Sequence, residues 1–474
     1  MKNPEKIFVA VFLIFGVIIC LVRPPYQLMD EPNHFARAWQ ISEGIFISPS
    51  ATQEEVLKTL TADNRKSFGW KNLSPDAATE KMFTASVPVS LVPDEFIFNF
   101  KDNSPPIKFS FERLKEFLTA PLKVDEREAG LIPNTGAYSP LAYFPQVLGA
   151  LLGRSLDLGA GTIYYLMNLS GLIFVATCIF LSMKFLPEAK SLIFLLTMMP
   201  MILIEAASTS IDSVTYGVSF LGTTWLLSLR GKSESFSRTE IFGLILLSIM
   251  LACAKSIYGT ILLLYFLIPQ AHAGSLKKFL SLGAAILFLN LFASLIWSEV
   301  AGVELATSRQ YLGAENIDAT AQKIFILENP QVFFAAMIKA FSEYGLNFFL
   351  GFIGIWGANV DVHSTIEFYI LYGIILLTFA LTNGLSFKIG ERFILFFAAG
   401  ISTVAFFLFE YVTWMPVGAE IIRGVQGRYF IPIAPMILFA LSTLPPLRNK
   451  NLIALTAGIS SGAVTLLTNF FAFY

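Results

Sequence analysis

Charge is scarce in this chain. Lysine, arginine, aspartate and glutamate make up 14% of its 474 residues, whereas soluble domains run nearer a quarter. What charge there is nearly cancels, to a formal −1, and no basic block gives a nucleic-acid backbone a footing. Cysteine is also sparse. Cys20, Cys178 and Cys253 fall in apolar stretches far apart in sequence, which argues against a disulfide framework or a thiolate metal cluster and leaves packing as their role. Internal repeats of the kind that build transporters are missing, and no low-complexity linker divides the chain.

Apolar residues fill the space that charge leaves. They amount to 55% of the chain, with a mean hydropathy of +0.65. After position 160, apolar runs of membrane-spanning length recur almost to the end. In lipid a spanning segment must satisfy its own backbone hydrogen bonds, so these runs are expected to be helical. The expected fold class is therefore an all-α polytopic membrane protein. The first run, Ile7 to Val22, follows Lys2 and Lys6 and has the look of a secretory signal. The bulky, rigid Leu21-Val22-Arg23-Pro24-Pro25 after it offers no cleavage site, so a retained anchor is expected.

Lysine and arginine in the short connections set the expected orientation. Lys184 and Lys190, then Arg230, Lys232 and Arg238, Lys277 and Lys278, Lys388 and Arg392, and Arg448 and Lys450 group in alternate connections. By the positive-inside rule these are cytoplasmic. Spans at roughly 7–22, 161–182, 189–206, 211–229, 240–254, 256–270, 279–297, 365–383, 391–412, 429–446 and 451–472 satisfy them all, about eleven crossings with the N-terminus inside. Ser139 to Gly153 and Val332 to Trp356 do not fit as spans and are expected to lie on or dip into the outer interface. The chain then divides into the first span (1–22), an outer loop (23–160) holding a small α-rich subdomain, a bundle (161–297), a second outer region (298–364) carrying Glu299, Glu304, Arg309, Glu315 and Asp318, and a C-terminal bundle (365–474).

Polar residues gather at the outer ends of these spans. Asp30, Glu31 and His34 open the first loop, with Arg37 on the same helical face as His34. Asp212 begins one span, Lys255 with Tyr258 sits at the turn between two short ones, Glu410 and Tyr411 end another, and Gln426-Gly427-Arg428-Tyr429 opens the next. Ionisable groups at membrane depth or rim are candidate site residues. Each also has a structural reading: Asp212 as a helix-start acid, Lys255 as a snorkelling cation, Arg428 and Tyr429 as an interfacial anchor pair, Glu31 as a helix cap, and His34 as a hydrogen-bonded histidine.

Acids beside cations at one rim suit glycosyl transfer from a lipid-phosphate sugar. The leaving phosphate needs cations, which Lys255, Arg37 and Arg428 supply, arginine in bidentate fashion. The acceptor hydroxyl must lose a proton, so a carboxylate serves as general base. Asp30 is the first choice for that base, with Glu31 orienting the acceptor or exchanging roles with it. A flippase or transporter for lipid-linked saccharides, and a glycan polymerase, are the competing readings. A flippase would carry its polar groups through the middle of the membrane, whereas here they cluster at one rim.

Several of these segments also carry a family resemblance. Pro25 through Asp30-Glu31-Pro32-Asn33-His34-Phe35-Ala36-Arg37, Tyr138-Ser139-Pro140-Leu141-Ala142-Tyr143, Pro200 through Ser208-Thr209-Ser210-Ile211-Asp212, Ala254-Lys255 with Tyr258, and Gly424 through Gln426-Gly427-Arg428-Tyr429-Phe430-Ile431-Pro432 span the chain from end to end. With them the chain resembles the bacterial membrane proteins grouped as domain of unknown function 2142, which look like relatives of the C-type (GT-C) glycosyltransferases. That resemblance implies a GT-C fold, an acidic base after the first span, a polyprenyl-phosphate-linked sugar as donor, a cell-surface glycan or glycolipid as acceptor, and a place in the bacterial inner membrane. It implies an interfacial helix opened by the Tyr138 segment, and Tyr138 joins the candidate substrate-binding residues. Some relatives bind a divalent metal through acids and histidine. His34 has no matching ligand set here, so neither metal nor cofactor is expected.

Overall fold

The computed structural model describes residues 2–28, 30–52, 54–55, 81–93, 110–232, 234–302, 317–356 and 362–474. Glu304, Arg309 and Glu315 lie outside them. Most described residues are helical. In chain order the helices are α1 (Pro4–Val22), α2 (Glu31–Ser42), α3 (Phe111–Thr119), α4 (Phe144–Ser155), α5 (Ala160–Phe185), α6 (Lys190–Thr197), α7 (Pro200–Ala206) and α8 (Ile211–Leu229). There follow α9 (Arg238–Lys255), a 3-10 helix (Ser256–Leu267), α10 (Leu276–Ala301), α11 (Ala319–Glu328), α12 (Pro330–Ile353), α13 (Ile366–Leu381), α14 (Ile389–Trp414), α15 (Ala434–Ala440) and α16 (Lys450–Phe473). By length and composition six of the described segments can cross a membrane, or up to eight if each of two bent pairs counts as one span.

Contacts at the two ends of α1 calibrate the depth of its neighbours. At the first end, Glu5 pairs with Lys184 at 3.1 Å and Lys190 at 3.4 Å. At the other, Arg23 donates to the Ala207 carbonyl at 3.2 Å and the Tyr474 hydroxyl donates to the Val22 carbonyl at 3.0 Å. With Tyr164 of α5 donating to Glu31 at 2.9 Å and Ser191 of α6 donating to Asn451 of α16 at 2.7 Å, helix α5, the bent pair α6–α7 and helix α16 run between the same two levels as α1. The pair bends by 79° because Pro200 has no N–H to give and pushes Met199 into an extended conformation.

The stretch Arg238–Leu267, long enough to count as a single span, is instead a hairpin. Lys255 is extended (φ −145°, ψ 108°), and the Phe236 N–H donates to the His272 carbonyl at 2.9 Å, closing the far ends together. The returning arm is a 3-10 helix of 12 residues, a form that rarely exceeds three or four residues unless packing holds it. Here Tyr265 stacks on Phe279 at 4.6 Å, and Ser402 Oγ donates to the Ile257 carbonyl at 2.9 Å. Helix α10 then rises beside α9. Asn290 donates to the Ser248 carbonyl at 2.8 Å, and the Ser248 hydroxyl to the Ile286 carbonyl at 2.6 Å. Polar side chains of this kind tie helices together in lipid, where apolar packing alone has little driving force.

Two segments that did not read as spans differ from each other. Helix α12 turns 104° from α11 and meets its neighbours at one level: Phe333 on Tyr411, Phe341 on Phe407, Phe348 on Phe430, and Gly351 beside Gly427. It lies across one end of the bundle. Helix α4 stands upright against α5, antiparallel to it, with Phe144 on Phe174, Gly149 against the Met167 backbone and Gly153 on Ile163. It dips into the bundle rather than lying flat.

The described part of the first loop adds to helices α2 and α3 an antiparallel sheet that the sequence reading did not expect, ordered β1 (Ser50–Thr52), β2 (Lys81–Pro88) and β3 (Arg127–Leu131). Ser50 pairs with Phe83 and Ser86 with Ala129. Met82, Phe83, Ala85 and Val87 of β2 are all buried. Gln40 of α2 donates to the Thr84 carbonyl at 3.0 Å, so the sheet backs the helix that carries His34.

The hairpin makes a topological prediction. With the native cysteines replaced by alanine, Glu234→Cys and Ala271→Cys should react with a membrane-impermeant maleimide from the same side. Opposite-side labelling would show that 238–267 crosses once.

Candidate functional site

The chain leaves α1 at Arg23 and re-enters helix at Glu31, and an ion pair closes this short loop. Arg23 grips Glu31 through two nitrogens at 2.9 and 3.1 Å, with both side chains 1% exposed. Glu31 also accepts from the Tyr164 hydroxyl at 2.9 Å and the Leu28 N–H at 3.2 Å. These bonds occupy both of its oxygens. The expectation that Glu31 orients an acceptor or exchanges roles with Asp30 is corrected on this geometry: it is a sealed structural carboxylate. Asp30, one residue earlier, has φ +65°, a left-handed conformation that is uncommon outside glycine and costs energy unless its surroundings hold it.

Asp30 is held by an asparagine relay. Asn134 donates to Asp30 Oδ1 at 2.6 Å and accepts from Asn33 at 2.8 Å. The other oxygen of Asp30 faces Arg428 Nη2 at 3.9 Å. Arg428 is the hub. Its Nη1 bonds Glu205 at 2.8 Å, and its Nε lies 3.6 Å from Asp212, which in turn binds Lys255 at 2.5 Å. The chain segments that meet there (the α1–α2 loop, α7, the start of α8, the α9 hairpin tip and the 3-10 turn Gly427–Phe430) are the ones whose ends share the Arg23 level. Asp30 is the most accessible member, its side chain 33% exposed against 12% for Arg428 and 3% for Glu205.

Arg428 gets its position from the glycine before it. A Cβ on Gly427 would stand 2.2 Å from the Phe348 carbonyl and 2.3 Å from the Phe352 nitrogen, so only glycine lets this strand of chain press against α12. Tyr258 donates to the Tyr429 carbonyl at 2.9 Å, and the Lys255 ammonium lies 5.4 Å from the centre of the Tyr429 ring. Asp212 is the second residue of α8, just after Ser210, whose hydroxyl accepts from its N–H at 3.1 Å. The serine is the cap, and the aspartate is left free to meet the cations.

His34 and Tyr138 form the wall on the loop side. His34 Nδ1 is 2.6 Å from the Tyr143 hydroxyl, and its ring stacks on Tyr138 at 5.9 Å. Burial pushes the His34 imidazole down to about 3, outweighing the pull of Asp212, so it is neutral at physiological pH. Burial likewise raises the Tyr138 phenol. Arg37 takes no part. It is 0% exposed and spends its guanidinium on the Gln40 side chain and on the Ile45, Phe46 and Tyr138 carbonyls, which corrects its expected role as a phosphate cation.

Beyond Arg428 a cavity of about 700 Å³ opens between α12, α13 and residues 422–428. Arg428, Glu205 and Gln426 are among its lining residues, whereas Asp30 and Asp212, which Arg428 also faces, do not line it. The structure thus brings Asp30, Asp212, Lys255 and Arg428 together, with His34, Tyr138, Tyr258 and Tyr429 around them. Sequence reasoning passed over Glu205, Arg23 and Asn134. Glu205 was visible as a lone acid in Pro200–Ala206, an otherwise apolar run. Asn134 carried no signal, because only the folded loop sets it beside Asp30. Among the described residues no group of three or more His, Cys, Asp or Glu is placed to hold a metal ion.

Two outcomes separate the adjacent acids. Glu31→Gln strips a buried arginine of its counter-charge, a change worth roughly 3–5 kcal/mol, and should lower the thermal midpoint sharply, whereas Asp30→Asn should leave it nearly unchanged. His34 predicts an acid sensitivity. Its imidazole binds protons near 6.5 when unfolded but only near 3 when folded, so its contribution is intact above 6.5 and lost as pH falls from there toward 3, by up to about 1.4 kcal/mol per pH unit. His34→Gln should flatten the fall in thermal midpoint over that window; an unchanged slope would place the sensitivity elsewhere.

No curated protein and no solved structure matches this chain. A family profile does, over residues 13–437, a stretch that includes the whole charged cluster. The chain belongs to the family described as predicted membrane protein (DUF2142), and it is a multi-pass membrane protein of that family.

Proposed function

We propose that the cluster is the active site of a glycosyltransferase, moving a sugar from a polyprenyl-phosphate donor to a cell-surface glycan or glycolipid on the extracytoplasmic face of a bacterial inner membrane. Asp30 takes the proton from the acceptor hydroxyl, whose oxygen attacks the anomeric carbon. The bond from that carbon to the phosphate oxygen breaks, and polyprenyl phosphate departs with the electron pair. Arg428, within reach of both Asp30 and the cavity, faces the charge that grows on the leaving phosphate. Asp212 and Glu205 hold Arg428, and Lys255 balances Asp212. The observation that carries this reading is the placement of Asp30. It is a partly exposed carboxylate pinned through one oxygen, opposite an arginine that borders a largely apolar cavity.

The same reading takes about eleven crossings in a GT-C-like arrangement with a cytoplasmic N-terminus. The two arms of the α9 hairpin supply two of them, and α6–α7 and the Gly427–Ala440 segment one each. Arg230 pairs with Glu391 at 3.0 Å and Arg392 bonds the Ala440 and Ser442 carbonyls, so much of the lysine and arginine of the short connections gathers at the Glu5 end, opposite the cluster.

A transporter for lipid-linked saccharides has one observation in its favour. Tyr216, Ser219 and Thr223 continue down the Asp212 face of α8 with buried hydroxyls unpartnered among the described residues. The base assignment decides between the two. Asp30→Asn should abolish the glycan product that mass spectrometry detects in cells carrying the wild-type chain, with expression and insertion unchanged. Full product from that variant would remove Asp30 as the base and favour transport. Arg428→Ala should impair donor use more than Arg428→Lys, since lysine keeps the charge and loses the fork.

A further inference from the structure

We propose that the cavity beside Arg428 binds a phosphate monoester carried on a lipid chain, and that Arg423 is its principal cation. This deepens the glycosyl-transfer reading by placing the polyprenyl phosphate, a diester in the donor and a monoester once the sugar has left, against a residue outside the charged cluster.

Charge balance is the first argument. The cluster sets two cations, Arg428 and Lys255, against three carboxyl groups, Asp30, Asp212 and Glu205. Lys255 is bound to Asp212 at 2.5 Å and does not line the cavity. Arg428 reaches the cavity with one nitrogen already on Glu205. A phosphate brought to this group alone would meet only cations already committed to carboxyl groups, and burial screens the repulsion from those groups poorly. A further cation is needed.

Arg423 meets the need. It is exposed and lines the cavity, and among the described residues no carboxylate stands within ion-pair distance of its guanidinium. Its backbone is fixed: the N–H donates to the Met415 sulfur at 3.4 Å, and Gly424 turns the chain with φ +88°. The segment therefore carries Arg423 and Arg428 along the same wall. Two guanidinium groups are suited to the several oxygens of a monoester.

The remaining walls favour a lipid over free phosphate. Leu28, Met201, Phe348 and Ile355 line the cavity with Trp356 and Tyr369, aromatic faces that suit a sugar ring. The volume of about 700 Å³ is that of a small-molecule pocket and too small for a whole polyprenyl chain. The two bounding helices continue outward with exposed apolar residues, Ile338 and Leu346 on α12 and Ile370 and Leu371 on α13. A chain leaving between them would run along these apolar side chains.

The test uses the full chain in phosphatidylcholine nanodiscs, with binding read by native mass spectrometry. Decaprenyl phosphate should bind at one per chain, and decaprenol about tenfold more weakly or worse. Arg423→Ala should weaken decaprenyl phosphate about tenfold while leaving decaprenol unchanged, and Arg423→Lys should recover part of the loss. Equal binding of decaprenyl phosphate by wild type and Arg423→Ala overturns the proposal, as does equal binding of decaprenol. Competition by inorganic phosphate at matched concentration would make it a free-phosphate site, and competition by phosphatidylglycerol a surface for bulk lipid; either result also overturns it. Asp30→Asn keeps the two readings apart. If that variant retains full transfer while Arg423→Ala loses decaprenyl phosphate binding, the catalytic reading fails and this one stands. If Asp30→Asn is inactive and Arg423→Ala binds normally, the reverse holds.

Discussion

A guanidinium held among three carboxyl groups at the mouth of a helical bundle is the constraint around which the other features arrange themselves. Arg428 can sit there only because Glu205, Asp212 and Asp30 come from three separate parts of the chain to meet it. An arginine in such surroundings without partners would be prohibitively costly, and so would the carboxylates without it. Each helix that contributes a partner is thereby fixed in depth and rotation relative to the others. Lys255 adds the hairpin tip of α9 to the same network through Asp212.

A second pair, Arg23 and Glu31, works beside the first without sharing a residue with it. It is fully sealed, further bonded to Tyr164 and to backbone, and joins the end of α1 to the start of α2. Adjacent residues in the chain thus have opposite fates. Glu31 gives both of its oxygens to structure, while Asp30, turned by its positive φ, keeps one oxygen toward Arg428. A buried ion pair adds little net stability compared with apolar packing, yet it specifies register well. Here the register it specifies is the one that presents Asp30.

How much of this was legible beforehand depends on the kind of signal. Apolar run length and the lysine–arginine bias exposed the membrane class, and they also led to the two short arms meeting at Lys255, because hydropathy survives whether a segment is α or 3-10. The convergence of Asp30, Asp212, Lys255 and Arg428 was readable because each is ionisable at the end of an apolar run. Arg37 misled for the opposite reason. Its helical face was right, but only the folded loop shows the carbonyls of Ile45, Phe46 and Tyr138 waiting for it. The small sheet also escaped notice, since β1 and β3 are too short to display alternation and pair across long stretches of intervening chain.

The 3-10 arm of the hairpin has a metric consequence. Twelve residues rise about 24 Å in that form, against about 18 Å as an α-helix, so the thinner coil lets a short segment return nearly the full height of its 18-residue partner. Its threefold winding also stacks Tyr258, Ile261, Leu264 and Leu267 in a single buried column. Inserting or deleting one residue there would swing that column by a third of a turn, and Tyr258 would lose its hold on the backbone beside Arg428. Sequence length in this arm is therefore under tighter control than sequence identity.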